Sequence, residues 1–180
     1  MDLSVIGFAE TNTPQHIIAI RLVIAATLGG IIGFEREADR GSAGLRTHIL
    51  IALAACLFTS LAFEIYAIAL EGGAQNPDPI RAVEATTAGI AFLGAGAIFQ
   101  QRGNVRGLTT GAGMWLAGAV GVACAVGYYF IALGVALFAV VILAALRTFA
   151  HQIIGSDDEP GDEKPARKPP TRKTGKSASP

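Results

Sequence analysis

The chain has 180 residues, 52% of them hydrophobic and 16% charged, with 22 glycines and a mean hydropathy of +0.49. That balance excludes an ordinary soluble domain and points to one membrane domain with a polar tail. Basic and acidic residues number 14 each, without the one-sided basic surface that nucleic acid requires, so nucleic acid is excluded as a partner.

Residues 1–15 carry Asp2, Glu10, Thr11, Asn12, Thr13 and Pro14, with no basic segment ahead of an apolar core. This is not the layout of a cleavable signal peptide, so the first apolar run is expected to stay in the membrane. Pro14 suits the first turn of a helix predicted over 16–34, long enough for a span of about 20 residues. Arg21 lies one turn inside it, and Gly29, Gly30 and Gly33 give its far end a small face. A charged hinge follows. Glu35 with Asp39, and Arg36 with Arg40, stand four apart, so a helical extension here carries one acidic and one basic stripe.

The second run is predicted over 47–70, with Glu64 well inside it. A buried lone carboxylate needs a partner. Folding the first two runs as a hairpin brings Arg21 and Glu64 to similar depth: either they pair or share a polar pocket, or each reaches the outer interface separately. Residues 71–79 form a loop by their Gly, Asn and Pro content. The third run, 80–99, opens with Arg81 and Glu84 and contains Gly89, Gly94 and Gly96. Its uncharged part covers only about 22 Å at helical rise, so its charged turn enters the membrane domain or the helix is short. Residues 100–106 form a polar, basic loop. The fourth run, 107–126, spaces Gly107, Gly111, Gly118 and Gly121 for close helix approach. A tight turn near Gly127 leads to the fifth, 128–147, whose aromatic start, Tyr128 to Phe130, suits an interface; one bent helix is the alternative. The residues of 151–180 cannot bury a core, so this tail is expected to be disordered and cytoplasmic; its lysines and arginines solubilise it or touch anionic lipid. No internal repeat links the runs.

The expected fold is therefore an all-α membrane protein, a bundle of about five transmembrane helices over 16–150 with a disordered C-terminal tail. Arg36, Arg40, Arg46, Arg102, Arg106 and Arg147 cluster at one set of loops, whereas loop 71–79 is acidic. Positive charge inside then places the N-terminal segment outside and the hinge and tail in the cytoplasm.

Few residues suggest chemistry. Arg46, Thr47 and His48 open the second helix, where free backbone N–H groups and a basic side chain favour an anion, or serve simple capping. Thr109 and Thr110 open the fourth helix beside Arg106, so Glu35, Arg36, Arg46, Thr47, His48, Arg106, Thr109 and Thr110 are the candidate polar cluster at the inner membrane edge. Arg21, Glu64, Arg81 and Glu84 are the candidate intramembrane charges. Gly29, Gly33, Gly89, Gly94, Gly96, Gly107, Gly111, Gly118 and Gly121 are the candidate packing positions. A magnesium path wants carboxylates and water along its length, and no acid falls at mid-membrane. Cys56 and Cys124 lie inside apolar runs and read as core residues. No catalytic motif is found; neither an enzyme nor a cofactor is expected.

The segments Gly33-Phe34-Glu35-Arg36, Ala43-Gly44-Leu45-Arg46-Thr47-His48, Gly89-Ile90-Ala91-Phe92-Leu93-Gly94-Ala95-Gly96 and Val105-Arg106-Gly107-Leu108-Thr109-Thr110, with Trp115, resemble in that order the motifs of the MgtC/SapB family of bacterial inner-membrane proteins. The resemblance covers about residues 16–147. It implies a bacterial plasma-membrane protein of about five spans, linked to growth at low magnesium. In some pathogens it further implies survival inside macrophages and inhibition of the proton-translocating ATP synthase. Many members carry a folded cytoplasmic domain after the last span, where this chain has only its tail. Two functional expectations follow: a regulatory protein that binds other membrane proteins or itself through glycine-rich faces, with ATP synthase a partner by resemblance, or a magnesium or other cation transporter.

Overall fold

The computed structural model describes residues 11–38, 43–101 and 104–153; the expectations for the first ten residues, Asp39 and Arg40, Arg102 and the tail fall outside them. The described residues form five helices, α1 (Gln15–Ala38), α2 (Leu45–Glu71), α3 (Ile80–Gly96), α4 (Leu108–Ala125) and α5 (Tyr129–Ile153), and one hairpin of β1 (Phe99–Gln101) and β2 (Asn104–Arg106). Four of the helices, α1, α2, α4 and α5, are long and apolar enough to cross a membrane. The remaining one, α3, has 17 residues and so covers about 26 Å, just short of a typical hydrocarbon core of about 30 Å.

Several bounds differ from the sequence reading: α1 runs on past 34 to Ala38, and α5 runs past 147 to Ile153, into the first residues assigned to the tail. The third helix stops at Gly96, where the Ala97 N–H bonds back to Leu93 and Gly94, and the segment read as a loop is an antiparallel hairpin pairing Phe99 with Arg106 and Gln101 with Asn104. Gly107 then enters α4 with φ of 86°, and a Cβ there would strike the Ala97 carbonyl; only glycine fits both the left-handed backbone and the contact. The predicted tight turn after α4 is a Schellman cap. The Tyr128 N–H bonds to the Ala123 carbonyl at 2.9 Å and the Gly127 N–H to Cys124 at 3.1 Å, with Gly127 at φ 85°. This separates α4 from α5 and excludes one bent helix.

The packing fixes the direction of every helix. The amides just before α1 meet Glu64 near the end of α2, and the end of α1 meets the start of α2, so these two are antiparallel. Gly113 near the start of α4 lies against His48 and Arg36, while Gly94 near the end of α3 lies against Gly111. Thus α3 and α4 are also antiparallel, and α4 runs with α2. The α5 helix begins beside Arg21 and carries Val140 back to Phe34 and Ala38. The chain therefore passes between the two ends of the bundle five times. The interior is built from small residues, including Ala25, Ala52, Ala55, Ala117, Ala132 and Ala136, whereas Phe34, Phe92, Phe130 and Phe138 point outward. Such a surface would aggregate in water. In lipid it is the expected arrangement, because helices there associate through close packing of small side chains.

Candidate functional site

The most highly charged part of the interior sits where α1, α2 and α4 converge. The buried stripe of α1 runs Ala25, Leu28, Gly29, Ile32, Gly33 and Arg36, at the three-and-four spacing of one helix face, so Arg36 is carried inward by helical phase. Glu35 flanks it. Their relative exposures are 3% and 7%, and the guanidinium donates through Nε at 3.0 Å and Nη2 at 2.8 Å to Glu35 Oε2. A buried charge next to its counter-ion avoids the cost of standing alone in an apolar interior.

Glycines bring the second helix onto this pair. A Cβ on Gly29 would lie 2.7 Å from the His48 carbonyl, and one on Gly33 would lie 2.8 Å from the His48 Cβ and from Leu45 Cα. The first turns of α2 therefore rest directly on α1, and His48 is fully buried at 0% exposure. Its Nδ1 lies 2.9 Å from the Gly44 carbonyl, which makes Nδ1 the donor and Nε2 the acceptor in the neutral ring. That Nε2 has no hydrogen-bond partner among the described residues; it faces Gly113 of α4, where the Arg36 stem also arrives. Glu37, one residue past the pair, accepts the Leu45 N–H at 2.8 Å and so caps α2 across the hinge.

The eight residues of the expected inner cluster divide. Glu35, Arg36, His48 and Thr110 are buried, Thr110 standing one turn before Gly113 on the inward face of α4. Thr47 is half-buried, and Arg46, Arg106 and Thr109 are exposed. Arg46 falls out of phase with the buried stripe of α2, His48, Ile51, Ala52, Ala55, Cys56, Thr59, Ser60 and Glu64. Gly113 and Glu37 were not singled out from sequence. Gly113 breaks the four-residue glycine spacing but keeps the helical phase of Thr110, Ala117 and Gly121, which is the signal that finds it.

At the opposite end Arg21 and Glu64 do not pair. Glu64 accepts the N–H groups of Asn12 at 2.6 Å and Thr13 at 2.9 Å, holding the segment that leads into α1. Arg21 donates to the Ala125 carbonyl at 2.6 Å and to the Tyr129 hydroxyl at 3.4 Å, capping the end of α4. Each charge thus lies beside a helix terminus of complementary sign. Arg81 and Glu84 are exposed, with the Arg81 Nε 3.9 Å from Asp78. Of the packing glycines, Gly29, Gly33, Gly94, Gly107, Gly111, Gly118 and Gly121 meet neighbouring segments, while a Cβ on Gly89 or Gly96 would meet nothing within 4 Å. Cys56 and Cys124 are free and buried. Among the described residues no group of three His, Cys, Asp or Glu side chains is placed to hold a metal ion.

Fold and site together define a multi-pass helical membrane protein whose buried charges are tied to its own helices. The MgtC family's sequence profile matches residues 22–152. The chain belongs to the MgtC family. It is 40% identical over 123 residues to Protein MgtC of Brucella abortus (strain 2308), covering 68% of this chain and 48% of that one. It is 38% identical over 110 residues to an Escherichia coli (strain K12) protein named "Putative magnesium transporter YhiD", covering 61% and 51%. Protein MgtC of Salmonella typhimurium (strain 14028s / SGSC 2262) is 36% identical over 135 residues, covering 74% and 54%. The chain spans about half the length of these curated relatives. No solved structure matches it.

Proposed function

We propose that this MgtC-family chain is a non-catalytic regulatory protein of the bacterial plasma (inner) membrane, linked to magnesium limitation or membrane energetics, that acts by binding another membrane protein or a second copy of itself. The observation that carries this reading is the outer face of α3. Only Ile90 and Gly94 of that helix are buried. Ala88, Phe92 and Gly96 stand four apart on the open side, Phe92 at 79% exposure, and Gly96 has room for a partner backbone. Small residues beside a large apolar one make a face on which a second membrane helix can pack. The buried carboxylates support the same reading, since Glu35 is held by Arg36 and Glu64 by two backbone amides. An ATP synthase is a partner only by family resemblance. Arg36, Arg46 and Arg106 share the end of the bundle that α5 returns to, which supports an N-terminus outside and a C-terminus in the cytoplasm.

The test is affinity capture from native membranes with Gly96→Leu as the control. A helix packed on this face is recovered with the wild-type chain and lost with Gly96→Leu, at whose Cβ position nothing in the bundle lies within 4 Å. Equal recovery with both contradicts the reading. Transport of magnesium or another cation is the second reading, favoured by the printed name of the Escherichia coli relative.

A further inference from the structure

A groove of about 670 Å³ runs between α2 and α3, with Met114 of α4 at its floor. Leu50, Ala54 and Phe58 form one wall, at four-residue spacing along α2, and Gly89 and Leu93 belong to the other. Its two ends differ in charge. At the hinge end Thr47 lines the groove, and Arg46, one turn before Leu50 on the same row, is exposed. Helical side chains lean toward their own N-terminus, so Arg46 extends beyond the apolar walls toward the hinge. Arg106 is exposed at the same end, because β2 leads through Gly107 against the last turn of α3. At the far end the groove is bounded by Ala85 and Thr86 beside exposed Glu84.

We propose that this groove is a binding site for one anionic phospholipid, with an acyl chain along the α2 and α3 walls and the phosphate on Arg46 and Thr47. Charge complementarity selects this occupant. A packed helix, from a partner or a second copy, would satisfy the apolar walls but leave the Arg46 guanidinium at the mouth without a counter-charge. A zwitterionic lipid would bring its own cation to a mouth already positive. The walls exclude a free phosphate as the native occupant, since it covers none of their apolar surface. The site does not depend on which functional reading holds.

Native mass spectrometry of the full-length protein, released from detergent with equal amounts of phosphatidylglycerol and phosphatidylcholine of matched chains, tests the assignment. The wild-type chain retains one phosphatidylglycerol in preference to phosphatidylcholine by about fivefold, the effect of one basic side chain near an anionic headgroup. Arg46→Gln brings the ratio to about one and Arg46→Lys keeps most of it. Gly89→Leu fills the groove without meeting any atom within 4 Å of its Cβ, and lowers retention of both lipids about tenfold at a melting temperature no lower than wild type. Ala54→Leu, on the facing wall, gives the same loss should Gly89→Leu unfold. Excess inorganic phosphate leaves the lipid in place. Equal retention of the two lipids, a preference that survives Arg46→Gln, retention unchanged by both groove-filling variants, displacement by phosphate, or a lipid-free dimer that Gly89→Leu abolishes would each overturn it.

Discussion

Glu35, Arg36 and His48 sit within one small volume, and helical phase explains why a membrane interior tolerates them. Arg36 is the continuation of the buried stripe of α1, and Glu35 supplies its counter-charge from the adjacent position. The glycines at 29 and 33 then let α2 close over both, so the pair is shielded on the side facing α2 and α4. Removing one partner takes the adjacent counter-charge away from a buried ion. Arg36→Gln is therefore expected to cost about 3–5 kcal/mol, and Glu35→Leu with Arg36→Met together less than either polar loss alone. Thermal unfolding in mild detergent measures this, and a single variant that melts with the wild type contradicts it. The Nε2 of His48 faces Gly113 with no hydrogen-bond partner among the described residues.

Helix ends, rather than side-chain pairs, organise the other charges. Glu64 holds the amides just before α1, Glu37 caps α2 and Arg21 caps α4. Glu64→Ala is expected to lower stability by about 1 kcal/mol and to speed amide hydrogen exchange at Asn12 and Thr13, while Arg21→Ala leaves those two amides protected. Joint loss of protection in Arg21→Ala would show that the two charges act together after all. Sequence left Arg21 and Glu64 either paired, in a shared polar pocket or separate, and the structure gives each its own backbone partners. Sequence missed those partners because backbone carbonyl and amide groups at helix termini leave no residue type to read. The hairpin was missed for a related reason: three-residue strands are too short for alternation to register. By contrast, the helices and the glycine contacts at 29, 33, 94, 111, 118 and 121 were legible, since long apolar runs and small-residue spacing are the strongest signals a membrane sequence carries. The exposure of Arg46 was legible too, from its phase against the α2 stripe, but grouping residues by loop proximity concealed it.

At the scale of the whole molecule, five passes put the start of α1 and the end of α5 at opposite ends, with Arg36, Arg46 and Arg106 gathered at one of them. Reporter fusions at residues 75 and 160 are accordingly expected on opposite sides of the membrane, and finding both on one side would remove a pass. This architecture ties each buried charge to a structural partner and leaves the faces of α3 open, which is the basis for reading the chain as a binding protein. Magnesium uptake by liposomes holding the purified protein tests that claim most directly. The account predicts uptake no greater than in protein-free liposomes. Saturable uptake that is lost in Glu64→Gln or Glu35→Gln, with each variant folded and incorporated like the wild type, would contradict it.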